Sequence, residues 1–247
     1  MRASAIEFRF RMLIMAALVA LGFWAPWIEQ WGIGRRISTI EWLALELSRT
    51  GLVSFTVATP VVIVLGALIA LKGVVFRVWG AAYLGYGTVH HEQMQAGRVM
   101  ADGPYRFLRN PLYLGGWSMM LAMAFIMPPT GALFSMTLLT IFILRLVLGE
   151  EAFLARQLGE PYQAYLRAVP RLIPRLRGAL PPAGHRPHWL IAVISELNPI
   201  GVFITLACLS WTYDNLLMIK AVLVSFGISL VVRAVLPRDP ALTGSPQ

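Results

Sequence analysis

The sequence contains few charged residues and almost no cysteine, and each shortage excludes a class of protein. Only 13% of the 247 residues are charged and 57% are hydrophobic, whereas an ordinary soluble domain carries about 25% charged residues. The single cysteine, Cys208, excludes an intrachain disulfide. This composition predicts one all-α, polytopic integral membrane domain rather than a pair of soluble domains.

Acidic residues are also scarce, with 12 Asp and Glu against 21 Lys and Arg and a net charge of +9. A positive balance can indicate a nucleic-acid partner, but these arginines are spread over short loops and form no compact basic module. Arginine-rich short loops of membrane proteins face the cytoplasm. We therefore expect no nucleic acid as partner, and we expect both termini on the cytoplasmic side of an inner or equivalent membrane.

Six apolar segments have about the length that a membrane-crossing helix needs, roughly 20 residues. They are 12–33, 52–71, 111–127, 132–148, 188–211 and 216–236. The first segment is too long for a signal-peptide core and lacks a small-residue cleavage pattern, so we interpret it as a retained span. Residues 38–49 are apolar on one face and predict an interfacial helix, and 73–86 are expected half-embedded or inside the bundle. The predicted fold is a bundle of about six transmembrane helices plus interfacial helices.

Two polar clusters flank the third and fourth predicted spans. The first comprises Tyr105, Arg106, Arg109, Asn110 and Tyr113, and the second is the carboxylate pair Glu150 and Glu151. Because two spans and a tight turn at 127–131 separate the clusters, both return to the same side of the membrane. A carboxylate that faces the bundle needs a partner, which Arg109 or a bound cation would supply. The ordinary alternative is a capped helix start, with Asn110 as N-cap and Pro111 as first residue, and a solvated acidic pair.

A series of short motifs runs through both clusters in a definite order. The motifs are GPYR at 103–106, RNPLYLG at 109–115, the pair at 150–151, LGEPY at 158–162, Tyr165 and VP at 169–170, with RVWG at 77–80 and LG at 84–85 upstream. In order, spacing and membrane context they resemble the C-terminal half of the isoprenylcysteine carboxyl methyltransferases, whose superfamily includes phospholipid N-methyltransferases. The resemblance covers residues 77–174. It implies a small helical membrane bundle, S-adenosylmethionine in a cytosolic pocket, and a hydrophobic or lipidated acceptor that enters from the bilayer.

The resemblance also implies roles for individual residues. Cofactor contacts would fall on His90, Gly97, Arg98, Val99, Met100, Tyr105, Asn110, Pro111, Leu112, Tyr113 and Glu150. Catalysis would involve Arg109, Asn110, Arg145 and Glu151. Transfer from an activated sulfonium needs in-line positioning and exclusion of water, so we expect no metal site. The regions would be an N-terminal transmembrane pair with its interfacial helix (1–72), the methyltransferase-like core (73–186), a C-terminal transmembrane pair (187–236) and a flexible tail (237–247).

The chain departs from the family pattern at points that bear on the acceptor. Asn110 stands where the family often has histidine, and Leu146 stands where a substrate-binding arginine is usual, with Arg145 one residue away. The acceptor therefore stays open between an isoprenylcysteine carboxylate or related lipid and a phospholipid amine. A reductase on a related scaffold and a transporter or non-catalytic scaffold are the alternatives outside this activity. Glu196 and Asn198, beside Pro199, predict either a local kink network or part of the acceptor cavity.

Overall fold

Residues 2–24, 37–84, 99 and 101–235 are described by a computed structural model, and within them every regular element is helical. The α-helices are α1 (Ala5–Arg9), α2 (Arg11–Trp24), α3 (Thr39–Arg49), α4 (Phe55–Leu84), α5 (Pro111–Ala124), α6 (Pro129–Leu158), α7 (Glu160–Ala168), α8 (Trp189–Ser195), α9 (Leu197–Ile204) and α10 (Asn215–Val235). Gly103–Arg106 and Ser210–Thr212 form 3₁₀ turns, and Thr205–Leu209 is a π-helical segment.

Three of these helices are long and apolar enough to cross a membrane, namely Phe55–Leu84, Pro129–Leu158 and the Asn215–Val232 part of α10. A fourth span is available if Trp189–Ser195 and Leu197–Thr212, which meet at 67°, count as one bent crossing. In the part of the chain that the structure describes, the expected number of about six spans is therefore not confirmed. Helices α2 and α5 have 14 residues each, or about 21 Å, which is short of a hydrocarbon core of about 30 Å.

Helix α4 is longer than the sequence pattern predicted. The expected boundary near Lys72 is absent, and the apolar span and the segment that follows it form one helix of 30 residues, about 45 Å long. Lys72 and Arg77 both lie in the second half of this helix, and Arg77 is paired with Glu196. Large apolar side chains line its outer face, among them Val57, Val61 and Leu68, which are 50%, 52% and 57% exposed. Such a surface is suited to lipid rather than to water.

The main core forms where α4 packs against α3, α5 and α9. Small residues and methionines fill it, including Ala58, Ala70, Met119 and Ala122. Helix α3 begins at the expected place, with Ser38 and Glu41 in a reciprocal capping box. Its first residue reaches the turn between α5 and α6, because Thr39 N–H donates to Met127 O at 2.8 Å. The tight α5–α6 hairpin predicted around 127–131 is confirmed.

The bent helix pair α8–α9 is anchored to α4 by a buried ion pair. Glu196 stands at the bend with no exposed surface, and Arg77 Nη2 donates to its Oε1 at 2.9 Å while Arg77 Nε donates to Oε2. The kink expected near Pro199 is thus present. A buried carboxylate is costly unless it is paired, and Arg77 supplies that pairing across the helix interface. Residues 236–247, which include the predicted tail, lie outside the described residues.

Candidate active site at the start of α5

A chain segment that we name the strap, residues 170–188, lies along the turn that leads into α5. Arg109 N–H donates to Pro170 O at 2.8 Å, Arg175 N–H to Phe107 O at 3.1 Å, and Ala179 N–H to Arg106 O at 2.8 Å. Farther along, Asp102 accepts bonds from the backbone N–H groups of Ala183 and His185 at 2.7 and 2.9 Å. These contacts pair residues 102–109 with the strap and hold the entry to α5 in place.

Asp102 is charged in this arrangement despite its burial. Burial by itself would raise the pKa of the Asp102 carboxyl group, but hydrogen bonds from the His185 backbone and ring and from Ala183 outweigh it and lower the pKa. The ring Nδ1 of His185 contacts the same carboxylate. The strap is therefore fastened at this point by a charge-assisted contact.

Tyr105 lies beneath the strap and connects three elements. Its side chain is 6% exposed, its hydroxyl lies 3.4 Å from Gly80 O on α4, and Tyr165 Oη on α7 donates to its carbonyl at 2.8 Å. Burial raises the pKa of both Tyr105 and Tyr165, so both phenols stay protonated and act as donors at neutral pH. Val99, another of the expected cofactor contacts, packs against the Tyr162 and Tyr165 cluster.

Glu151 is the centre of a buried polar cluster that joins α5, α6 and the strap. Asn110 Nδ2 donates to its Oε1 at 3.0 Å, and Arg171 Nη2 and Arg109 Nη1 lie 2.9 and 3.3 Å from its Oε2. The Glu151 side chain is 7% exposed. The sequence predicted Arg109 or a bound cation as the partner of a buried carboxylate here, and in the structure Arg109 is a partner of Glu151 together with Arg171. Two guanidinium groups and an amide hold this carboxylate, which suits it to a structural role.

Asn110 occupies the N-cap position of α5 but does not cap the helix with its side chain. Its Nδ2 donates instead to Glu151 and, at 3.2 Å, to Arg171 O. Asn110 is thus the N-cap residue by position, as expected, but its side chain makes no capping bond. Its amide is oriented instead by the bonds that Nδ2 donates to Glu151 and to the Arg171 carbonyl, and Pro111 brings no N–H to the first turn.

Glu150 has a different environment from its neighbour. Tyr113 Oη donates to Glu150 Oε2 at 2.8 Å, and Glu150 is half-buried. Tyr113 in turn packs against Phe8, Phe142 and Leu146 in a small apolar cluster. Consecutive residues on a helix point about 100° apart, so α6 directs Glu151 into the arginine cluster and Glu150 towards Tyr113. The two carboxylates thus have different partners, arginines for Glu151 and a tyrosine for Glu150.

Of the remaining predicted residues, Pro111, Leu112 and Arg145 lie within the described part of the chain, and the others do not. Pro111 is buried at the start of α5, and Leu112 packs against Ala81, Ala82 and Ala192. Arg145 lies apart from the Glu151 cluster, because both its Nε and Nη2 bind Glu7 on α1, with Nη2 to Oε1 at 2.8 Å. His90, Gly97, Arg98 and Met100 lie outside the described residues.

Three residues of this region were not predicted from the sequence. Arg171 pairs with Glu151, Glu7 pairs with Arg145, and Arg77 pairs with Glu196. The scarcity of acidic residues was a usable signal for the last pair, because a buried carboxylate such as Glu196 requires a cation in a membrane bundle. No sequence pattern points to Arg171, since its position depends on the path of the irregular strap.

The described geometry defines an all-helical membrane protein with a polar, arginine-rich site where α4, α5 and α6 meet. Residues 61–161 match the family model of the phospholipid methyltransferases, PEMT, and this match confirms the predicted resemblance to that superfamily. The matched segment contains both Glu150 and Glu151 as well as the whole of α5. It indicates a membrane methyltransferase. No curated protein and no solved structure matches the chain.

Proposed function

We propose that the protein transfers a methyl group from S-adenosylmethionine to a lipid acceptor dissolved in the membrane, and that the acceptor is a phospholipid amine. The observation that carries the proposal is the hydrogen bond between Tyr113 and Glu150, which joins α5 and α6 inside the segment that matches the phospholipid methyltransferases. This contact places the half-buried Glu150 beside the aromatic ring of Tyr113, where α5 and α6 meet.

The residues of the site fit the proposed cofactor chemically. S-adenosylmethionine carries a cationic amino-acid end, ribose hydroxyls and a carboxylate. Glu150 offers an acceptor for the ammonium or a hydroxyl, and the ring of Tyr113 offers a face to a sulfonium by cation–π attraction. Arg109 Nε is buried and has no hydrogen-bond partner among the described residues. Leaving a buried donor unpaired costs free energy. A carboxylate or phosphate oxygen of a ligand would remove this cost by accepting a hydrogen bond from Arg109 Nε.

When bound, S-adenosylmethionine supplies an electrophilic methyl group on its sulfonium, so the protein needs no covalent nucleophile. The chain's own residues then position the reactants and exclude water. Glu151 keeps Arg109 and Asn110 in place through an ion pair and a hydrogen bond. An amine acceptor must lose a proton, to solvent or to a base at the site, before it attacks.

An isoprenylcysteine carboxylate is the second candidate acceptor, and the site supports it less well. Its recognition would need a cation near Glu150, where Leu146 is fully buried among apolar groups. Arg145 is the nearest arginine in sequence, but Glu7 engages its guanidinium through both oxygens, at 2.8 and 2.9 Å. Among the described residues, neither Leu146 nor the engaged Arg145 offers a cation at the family's usual position, which favours an acceptor that carries an amine.

Two measurements test the proposal in sequence. Isothermal titration of the purified protein with S-adenosylhomocysteine should show saturable binding, and the absence of both heat and thermal stabilisation at millimolar ligand would refute a methyltransferase. Product analysis in lipid nanodiscs then compares phosphatidylethanolamine with a prenylcysteine analogue. We expect methylated amine products, and methyl esters alone would assign the second acceptor instead.

A further inference from the structure

The outer side of the strap displays two large apolar side chains among arginines. Ile173 is 82% exposed and Leu176 is fully exposed, at 101%. They alternate with Arg171, Arg175 and Arg177 in the run RLIPRLR. An exposed pair of this kind is unfavourable in water, and soluble proteins rarely place large apolar groups so openly within one short segment.

The exposure of these side chains is not a consequence of a loose backbone. The strap is bonded to the turn before α5 at both sides of the run, through Pro170 O to Arg109 N–H and through Ala179 N–H to Arg106 O, each at 2.8 Å. Arg106 Nε also donates to Leu180 O at 2.7 Å. The backbone therefore holds Ile173 and Leu176 outward in a defined geometry.

The charge of this region is of one sign. The strap has no acidic residue and four arginines, at positions 171, 175, 177 and 186. Basic groups near a membrane surface are attracted to anionic headgroups, while adjacent apolar side chains bury in the boundary between headgroups and acyl chains. A strongly basic, apolar surface next to membrane-crossing helices has the complementary charge for an anionic lipid surface.

We propose that the strap docks on anionic phospholipid headgroups of the bilayer that the helices cross, with Ile173 and Leu176 inserted and with Arg175 and Arg177 on lipid phosphates. Arg171 is the exception in this run, because it turns inward and its Nη2 lies 2.9 Å from Glu151 Oε2. The strap would thus contact lipid on its outer side and the polar cluster around Glu151 on its inner side. Anionic lipid would thereby stabilise the position of Arg171 against Glu151.

The docking is tested by a fluorophore at the strap, without any enzymatic assay. In a Cys208→Ser background, Leu176→Cys is labelled with an environment-sensitive dye and the full chain is placed in nanodiscs of phosphatidylcholine, with or without phosphatidylglycerol. We expect blue-shifted emission, and quenching by spin-labelled lipids, that both increase with phosphatidylglycerol. Each arginine near a lipid surface contributes about a fivefold factor in partitioning, so Arg175→Gln with Arg177→Gln should weaken the response roughly 25-fold.

Arg167→Gln is the matched control, because Arg167 is exposed on α7 and pairs with Glu160 outside the strap. It should leave the response of the dye unchanged, and thermal unfolding should show that all variants remain folded. Water-like emission in both lipid mixtures would overturn the proposal. So would equal quenching with and without phosphatidylglycerol, or an equal loss in the control. Because no cofactor is involved, these outcomes are separate from the test of methyl transfer.

Discussion

Asn110 Nδ2 donates to Glu151 Oε1 at 3.0 Å, and this bond joins the beginning of α5 to the last third of α6. The two residues are 41 positions apart in the chain. The same carboxylate receives Arg109 from the turn before α5 and Arg171 from the strap. One side chain of α6 therefore sets the relative positions of three segments around the candidate site.

Removing this charge should destabilise the fold. In Glu151→Gln, two guanidinium groups lose their carboxylate, and breaking a buried ion pair costs about 3–5 kcal/mol. We expect the lower end, about 3 kcal/mol, because the Arg171 side chain is 44% exposed and can recover some hydration. The free energy of unfolding in mixed micelles titrated with sodium dodecyl sulfate measures the change.

Glu160→Gln is the control for this variant. Its pair with Arg167 is 69% and 66% exposed, and exposed pairs contribute about 0–1 kcal/mol. Equal losses in Glu151→Gln and Glu160→Gln would show that the Glu151 cluster does not bear on stability.

The sequence predicted the meeting of the two clusters but not the details of their contacts. The predicted hairpin at 127–131 was sufficient to bring Arg109 and Glu151 together, although α5 has 14 residues and α6 has 30. The direction of the Asn110 side chain was not predictable, because local rules assign it to the helix N-terminus. Arg171 was missed because the strap has no periodicity from which a register follows.

The length of α4 shows a second limit of sequence interpretation. Lys72 and Arg77 indicated the end of a span, yet the helix continues to Leu84. What permits this is a tertiary contact, since Glu196 on the bent α8–α9 pair neutralises Arg77. A local hydropathy pattern contains no information on a carboxylate 119 residues away.

Glu150 and Tyr113 should affect cofactor binding more than stability. Glu150→Gln removes the charge that we assign to the cationic end of the cofactor, and hydrogen bonds to charged groups contribute about 1.5–3 kcal/mol. We expect the affinity for S-adenosylhomocysteine to fall roughly tenfold or more, and a smaller loss in Tyr113→Phe, which keeps the ring. Titration calorimetry measures the affinity of both variants for S-adenosylhomocysteine, and Thr137→Val on the outer side of α6 is the control. Unchanged affinity in both site variants would place the cofactor elsewhere.

The N-terminal helix α1 should detach from α6 in acid. The hydrogen bond from Arg145, followed by the Ser4 backbone bond, lowers the pKa of Glu7 from 4.5 to about 2. A carboxyl group whose pKa is lowered on folding stabilises the native state above its unfolded pKa, and that contribution disappears as the pH falls through the folded value. Thermal unfolding of the wild type and Glu7→Gln should therefore differ by a constant amount above pH 4.5 and converge towards pH 2. A difference that stays constant down to pH 2 would contradict this assignment.

Gly115 should be intolerant of even one added methyl group. Its Cβ would lie 2.6 Å from Arg77 Cγ and 2.9 Å from Gly73 O, and neither neighbour can move freely. The Gly73 carbonyl belongs to the backbone of α4, and Glu196 holds the guanidinium of Arg77 through two bonds. Overpacking costs about 1–3 kcal/mol, which exceeds the gain of about 1 kcal/mol that alanine brings to a helix. We therefore expect Gly115→Ala to lower the free energy of unfolding by up to about 2 kcal/mol.

Gly227→Ala in α10 is the matched control, because no atom lies within 4 Å of its added Cβ. It should stabilise the protein by up to about 1 kcal/mol through helix propensity alone. The comparison isolates the contact between α4 and α5, since both variants make the same chemical change within a helix. Equal stabilisation by Gly115→Ala and Gly227→Ala would show that α4 and α5 do not approach each other closely at Arg77. The position of Tyr113 on α5 would then have to be explained by other contacts.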